Sequence, residues 1–296
     1  MAPDKFSATW VSHSSICDFQ HCPRAYYLKN VYKDPKTNHK LQIVSPPLAL
    51  GQTVHAVLES LSMLSTEKRF QQPLLELFEK EWKNVSGKKG GFFDAQTEEH
   101  YKERGKEMLR RVMEHPGPLM NKAVKIKEDL PWFWLSEDDA IILCGKIDWL
   151  EYIEQDDSVH IIDFKTGKNV EDGRSLQLPI YYLLVHYCQK RKVSKISYWH
   201  LQLRESLDEQ RLPDLQDSYD SIEKIARKIK LARKLEHFTC PEGGCRYCEP
   251  YESILRGEAE HVGQGTYGHD IYILQHTKDG NKFEEYVEED EESVIL

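Results

Sequence analysis

Residues 159–162 (Val-His-Ile-Ile) form a short β-branched run that stops at Asp163-Phe164-Lys165 and then at Thr166-Gly167. Such a run predicts a buried strand. A carboxylate at the end of a buried strand is costly unless something pairs with it. Residues two apart on a strand share a face, so Asp163 and Lys165 point the same way. Upstream, Asp148 likewise interrupts an apolar stretch, within CGKIDWLE. If the two stretches are neighbouring strands, Asp148 joins the other two side chains. Two carboxylates placed together can hold a divalent cation through hard oxygen ligands. A lysine beside that cation can orient or activate a water. Taken alone, Asp-x-Lys is equally the pattern of a surface salt bridge, so its surroundings decide its meaning.

The flanking periodicities predict helices. Residues 12–32 read as helical, capped by Ser12 or Ser14 and broken or kinked at Cys22-Pro23, because proline lacks the backbone donor. Residues 48–64 carry Val54, Leu58, Leu61 and Leu64 as an apolar stripe. His55 and Glu59 are four apart on that helix and share a face. Further helices are predicted over 67–84 and 97–114, and Pro116-Gly117-Pro118 ends this region. Strands are predicted over 123–135, 140–154 and 158–165, with polar turns at 136–139 and 154–157, as an antiparallel meander. A helix over 175–189, a strand over 195–203 and a helix over 217–236 follow. The layout implies an α/β fold with a central mixed sheet flanked by helices, and a helical insertion at about 65–122. Residues 1–256 read as one domain. Residues 257–296 read as a hairpin around Asp279-Gly280 and a frayed acidic tail.

Hydrophobic residues make up 40% and charged residues 30%, enough to bury a core. No apolar run is long enough to span a membrane, and MAPDKFSATW lacks the apolar stretch of a signal peptide, so a cytoplasmic location is expected. The net charge of −9 does not favour nucleic acid, but local patches matter more. Residues 189–195 are basic. In 217–236, Ile222, Ile225, Ile229 and Ala232 form a core stripe, leaving Lys224, Arg227, Lys228 and Lys234 to face phosphates or solvent.

Gln177 and Tyr181 are four apart on the helix after the turn and place polar tips on a face otherwise made of Leu178, Leu183 and Leu184. The ordered set Gly51-x3-His55, Gly145-x-Ile147-Asp148, Ile161-Ile162-Asp163-x-Lys165-Thr166-Gly167 and Gln177-Leu178-x2-Tyr181-Tyr182 resembles the RecB-like branch of the PD-(D/E)XK nuclease superfamily. That branch includes the RecB and AddB nuclease domains and a CRISPR-associated iron–sulfur exonuclease. The resemblance covers roughly residues 12–252. Ile147 stands where the superfamily has proline. The resemblance implies a restriction-endonuclease-like core. It implies that His55, Asp148, Asp163 and the Phe164 carbonyl ligate Mg²⁺ or Mn²⁺, with Glu59 a weaker candidate. Lys165 would position or deprotonate the water, and Gln177 and Tyr181 would support the site and contact DNA.

Seven cysteines are too unevenly spaced for a disulfide framework and point to metal or catalysis. Cys240, Cys245 and Cys248 have the dense spacing that suits a soft metal. Cys22 and Cys17 compete as fourth ligand. In iron–sulfur members of the branch one N-terminal cysteine joins three C-terminal ones, which favours Cys22, ahead of Pro23-Arg24 and an aromatic pair. There the common C-terminal order is a close pair and then a later cysteine; here Cys240 precedes the pair. A structural [4Fe–4S] cluster is implied, with zinc as the alternative. Cys144 and Cys188 read as small buried hydrophobes.

The functional expectation is a metal-dependent DNA nuclease, an exonuclease of recombination, repair or CRISPR adaptation, acting on single strands or free ends. Without a Walker A motif, any helicase would be a separate protein. Two other readings compete with it: a catalytically inactive DNA-binding scaffold of the same fold, and an iron–sulfur redox or sensor protein.

Overall fold

The computed structural model describes residues 4–128, 130–171, 174–265 and 268–274. Strand β1 (Thr9–Val11) leads into helix α1 (His13–His21). Ser12 caps α1. Its hydroxyl accepts from the Ser15 N–H, and Ser15 Oγ accepts from the Ser12 N–H, a reciprocal arrangement that satisfies two orphan donors. The helix expected over 12–32 breaks where proline demanded it. Cys22 is extended, α2 (Pro23–Tyr26) restarts with proline in its first turn, and a π-helical turn, Tyr27–Val31, follows. After β2 (Leu41–Ile43) comes α3 (Pro46–Ser60), which buries Leu50, Val54, Val57 and Leu58.

In the stretch expected to be a helical insertion, α4 (Leu74–Trp82) and α5 (Ala95–Glu114) pack on each other and on α3. α4 begins later than the expected 67, after Pro73, because the residue before a proline is pushed out of the helical region. Asp94 caps α5 by accepting from the Thr97 N–H at 2.8 Å.

The expected meander needs correction in two places. The first strand forms only over β3 (Trp132–Ser136); Ala123 makes an isolated antiparallel bridge to Glu151. The stretch 140–154 is two strands, β4 (Ile141–Cys144) and β5 (Trp149–Ile153), in different sheets. The chain leaves the first at Gly145, packed so tightly that a Cβ there would lie 2.8 Å from Leu184 Cδ1. β6 (Ser158–Lys165) is buried at every residue. α6 (Gln177–Cys188), β7 (Lys192–His200), β8 (Asp208–Gln210) and α7 (Leu215–Lys234) follow. α8 (Glu249–Leu255), β9 (Ala259–Gln264) and β10 (Asp270–Leu274) complete the described chain.

The central sheet runs β5-β6-β7-β8. β6 is antiparallel to β5 and parallel to β7, and β7 is antiparallel to β8. The parallel step requires a crossover, which α6 provides. Strand alternation splits the core: Ile161 packs with Tyr181, Leu184 and Ile222, while Ile162 and Phe164 pack with Leu58 of α3 and Phe78 of α4. A second sheet runs β1-β4-β3 and a third runs β2-β10-β9. In the third, β10 pairs in parallel with β2, and Asp270 accepts from Thr37 Oγ1 at 2.6 Å. The hairpin expected around Asp279-Gly280 and the acidic tail lie outside the described residues.

On α7, Ile222, Ala226 and Ile229 are buried, while Lys224, Arg227, Lys228 and Lys234 are exposed. Arg227 is paired with Glu223 and Asp139. Among the described residues no helix is long and apolar enough to cross a membrane.

Candidate functional site

α3 crosses the end of β6 so closely that a Cβ on Gly51 would sit 3.2 Å from Thr166 Oγ1. One turn later it presents His55. The turn out of β4 presents Asp148 beside the same strand end, where Asp148 Oδ2 accepts from the Phe164 N–H at 2.9 Å. His55 Nδ1 is 3.4 Å from that Oδ2 and 3.9 Å from Glu59 Oε1. Lys146 pairs with Glu59. His55, Glu59 and Asp148 offer ligand atoms that all lie within 4.8 Å of one another. His55 is 27% exposed at its side chain and opens the group to solvent.

Asp163 and Lys165 share a face, as the strand period requires. Asp163 is 1% exposed. Its Oδ1 accepts from Gln177 Nε2 at 2.9 Å, and its Oδ2 has no hydrogen-bond partner, with Lys165 Nζ 3.3 Å away. Lys165 Nζ donates to Gln177 Oε1 at 2.5 Å and sits 5.3 Å from the centre of the Tyr198 ring. Gln177 Nε2 also donates to Tyr181 Oη at 3.3 Å. Gln177 therefore bridges the carboxylate and the ammonium, and Tyr181 braces Gln177.

Of the residues expected from sequence, the structure brings His55 and Asp148 into one compact group, joined by Glu59. Asp163 and Lys165 stand beside that group with Gln177 and Tyr181. Phe164 meets the site through its backbone N–H, and its ring packs edge-on against His55 at 6.0 Å. Two buried residues escaped the sequence reading. Glu171 Oε2 lies 3.5 Å from Lys165 Nζ. His200, in register with Lys165 on β7, has neither ring nitrogen hydrogen-bonded. Glu171 follows a turn with no periodicity to mark it. His200 ended a strand with no motif around it.

Burial pushes the Asp163 carboxyl up to about 7; the nearby Asp148 charge adds to this and Lys165 opposes it. Burial also acts on Asp148, yet the His55 charge and the Phe164 N–H hold it below the usual carboxylate range. Burial works against a charged His55, but Asp148 and Glu59 raise it to about 9. The site thus concentrates carboxylates, one of them with a buried oxygen that nothing bonds. A divalent cation is the partner such an oxygen-rich set fits.

Cys22, near one end of the chain, and Cys240, Cys245 and Cys248, near the other, offer sulfur atoms all within 4.8 Å of one another. Cys245 and Cys248 sulfurs are 3.7 Å apart. Cys22 is the fourth member; Cys17 instead contacts His13 Nε2 at 3.3 Å. Cys22 and Cys248 are buried, and burial pushes the Cys22 thiol up to about 11. Four converging thiols with two of them sealed from water are the donor set of a soft metal, which would displace their protons. Cys144 is buried and Cys188 half-buried, both outside this group.

A protein-family model for the PD-(D/E)XK nuclease superfamily matches residues 10–254, from β1 to α8. The chain belongs to the PD-(D/E)XK nuclease superfamily. Comparison with curated proteins finds no match. As a PD-(D/E)XK protein it has the restriction-endonuclease-like fold, with β5-β6-β7-β8 as the mixed sheet of that fold. Membership implies nuclease activity, and PD-(D/E)XK nucleases use divalent metal ions.

Proposed function

We propose that the chain is a Mg²⁺- or Mn²⁺-dependent deoxyribonuclease of the RecB-like branch, of the AddB or CRISPR-associated exonuclease type, acting on single strands or free ends. The observation that carries this is the His55–Glu59–Asp148 group at the end of β6, with ligand atoms within 4.8 Å of one another, beside Lys165 and Asp163, whose buried Oδ2 has no hydrogen-bond partner. His55, Asp148 and Asp163 would hold the cation, with Glu59 beside them and the Phe164 carbonyl as a further ligand. A bound divalent cation would supply Lewis-acid charge at the scissile phosphate.

The chain's own residues do the rest. Gln177 fixes the Lys165 ammonium beside Asp163, so a positive charge waits where negative charge develops. Tyr181 holds Gln177 in that role. Asp148 keeps His55 oriented toward the group. The exposed cations of α7 would follow the DNA backbone.

The four thiolates would hold a structural [4Fe–4S] cluster that ties residue 22 to residues 240–248. Zinc is the second reading, favoured by the 3.7 Å Cys245–Cys248 separation: tetrahedral Zn–S bonds of about 2.3 Å put sulfurs about 3.8 Å apart. The whole proposal is tested by anaerobic purification, iron, sulfide and zinc analysis, and cleavage of end-labelled single- and double-stranded DNA with Mg²⁺ or Mn²⁺. Cation-dependent shortening from one end supports it. Binding without cleavage supports the scaffold reading instead.

A further inference from the structure

We propose that Glu171 is a positioning residue of this site, the second counter-ion that holds the Lys165 ammonium in place; this rests on the nuclease reading above. Glu171 lies in the connection between β6 and α6, yet its side chain is only 4% exposed. Its Oε2 is 3.5 Å from Lys165 Nζ and has no hydrogen-bond partner. Asp163 Oδ2 stands 3.3 Å from the same ammonium, also without one. Gln177 Oε1 accepts from it at 2.5 Å, and the Tyr198 ring is 5.3 Å away.

The ammonium thus has two carboxylates beside it, and neither is as close as a short charge-assisted hydrogen bond of about 2.7–2.9 Å. A sealed carboxylate is costly to keep unless it is paired, and Lys165 is the cation this one faces. The two acids differ in what else they can do. Asp163 is placed to share its charge with a bound cation. Neither acid is part of the compact His55–Glu59–Asp148 group, but the Asp148 and His55 charges act on the Asp163 carboxyl, whereas the contact that ties Glu171 to the site is its 3.5 Å approach to Lys165. When Asp163 turns its charge elsewhere, Glu171 still holds the ammonium at one point, and catalysis by a fixed charge depends on that placement.

The test uses the full chain with Glu171→Gln, Glu171→Asp, Lys165→Met and the double variant Glu171→Gln/Lys165→Met. Thermal unfolding is followed in chelator, and steady-state cleavage of end-labelled DNA in Mn²⁺. With Lys165 present, Glu171→Gln is expected to lower the melting temperature by a few degrees. In the Lys165→Met background the same change is expected to be neutral or stabilising, because the buried carboxylate has lost its cation. In cleavage, Glu171→Gln is expected to lower kcat roughly 10–100-fold with KM for DNA unchanged, and Glu171→Asp to recover part of the loss. An equal stability loss in both backgrounds, or a kcat equal to the parent's, overturns the proposal. If the parent chain does not cleave DNA at all, the nuclease reading fails, and the stability cycle alone decides whether Glu171 holds Lys165.

Discussion

Replacing Asp163 with asparagine should make the metal-free protein more stable, and only above acidic pH. Asp163 is 1% exposed, and burial raises its carboxyl from 3.8 to about 7. Between those values the folded chain keeps the proton while the unfolded chain has released it. Folding stability therefore falls as pH rises through that window, by about 1.4 kcal/mol per pH unit. Across the whole window the loss is about 4 kcal/mol. Asparagine has nearly the same shape and no charge to bury, so the loss disappears. In a chain of this size about 1 kcal/mol corresponds to about 2 °C. Melting curves in chelator should then coincide at pH 4 and separate to about 8 °C in favour of Asp163→Asn at pH 8. Burial lowers the pKa of His13, to about 3, which destabilises both proteins equally in acid and cancels in the comparison. Adding Mn²⁺ at about a hundred times its dissociation constant should raise the parent by about 2.7 kcal/mol and the variant by much less. If the variant melts at or below the parent at pH 8 in chelator, or gains as much from Mn²⁺, Asp163 is not a strained ligand awaiting a cation.

Other consequences follow from the same contacts. Gln177→Leu removes the bridge between Asp163 and Lys165 and should cost about 2–4 kcal/mol in urea unfolding, since bonds to buried charges are the strong ones; a loss below about 0.5 kcal/mol would contradict the bridge. Cys22→Ser should abolish metal retention at the cysteine centre and lower the melting temperature, while Cys17→Ser should retain the metal, as read by elemental analysis. Gly145→Ala places a methyl 2.8 Å from Leu184 Cδ1 and should cost about 1–3 kcal/mol by overpacking, measured by thermal unfolding.

How much of this was legible in the sequence depends on the strength of each local signal. β6 matched its predicted span because a buried strand ending in Asp-x-Lys admits few alternatives. α3 was legible from its apolar stripe, and Asp163, Lys165, Gln177 and Tyr181 came together because strand and helix periods fixed their faces. The stretch 140–154 misled because apolar residues continue past Gly145, and only packing against Leu184 shows that the chain must turn there. β1, β2, β8 and α8 are too short for periodicity to register. β2 and β10 pair across more than the length of the central sheet's chain segment, and no local pattern announces such a partnership. Cys22 and Cys17 were rivals in sequence, and only the break at Pro23 aims Cys22 at the other three thiols. Glu171 sits in an irregular loop, where burial is a tertiary property with no signal in the neighbouring residues.

The proposed site would hydrolyse DNA with a divalent cation, with Lys165 taking part in the chemistry. The direct measurement is single-turnover cleavage of end-labelled DNA in Mn²⁺ by the parent and by Lys165→Met, with folding of both checked by thermal melts. The parent should cleave and stop in chelator, and the folded variant should lose roughly 10²–10³-fold. Equal cleavage by the two proteins, or a folded, cation-loaded parent that leaves DNA intact, would contradict it.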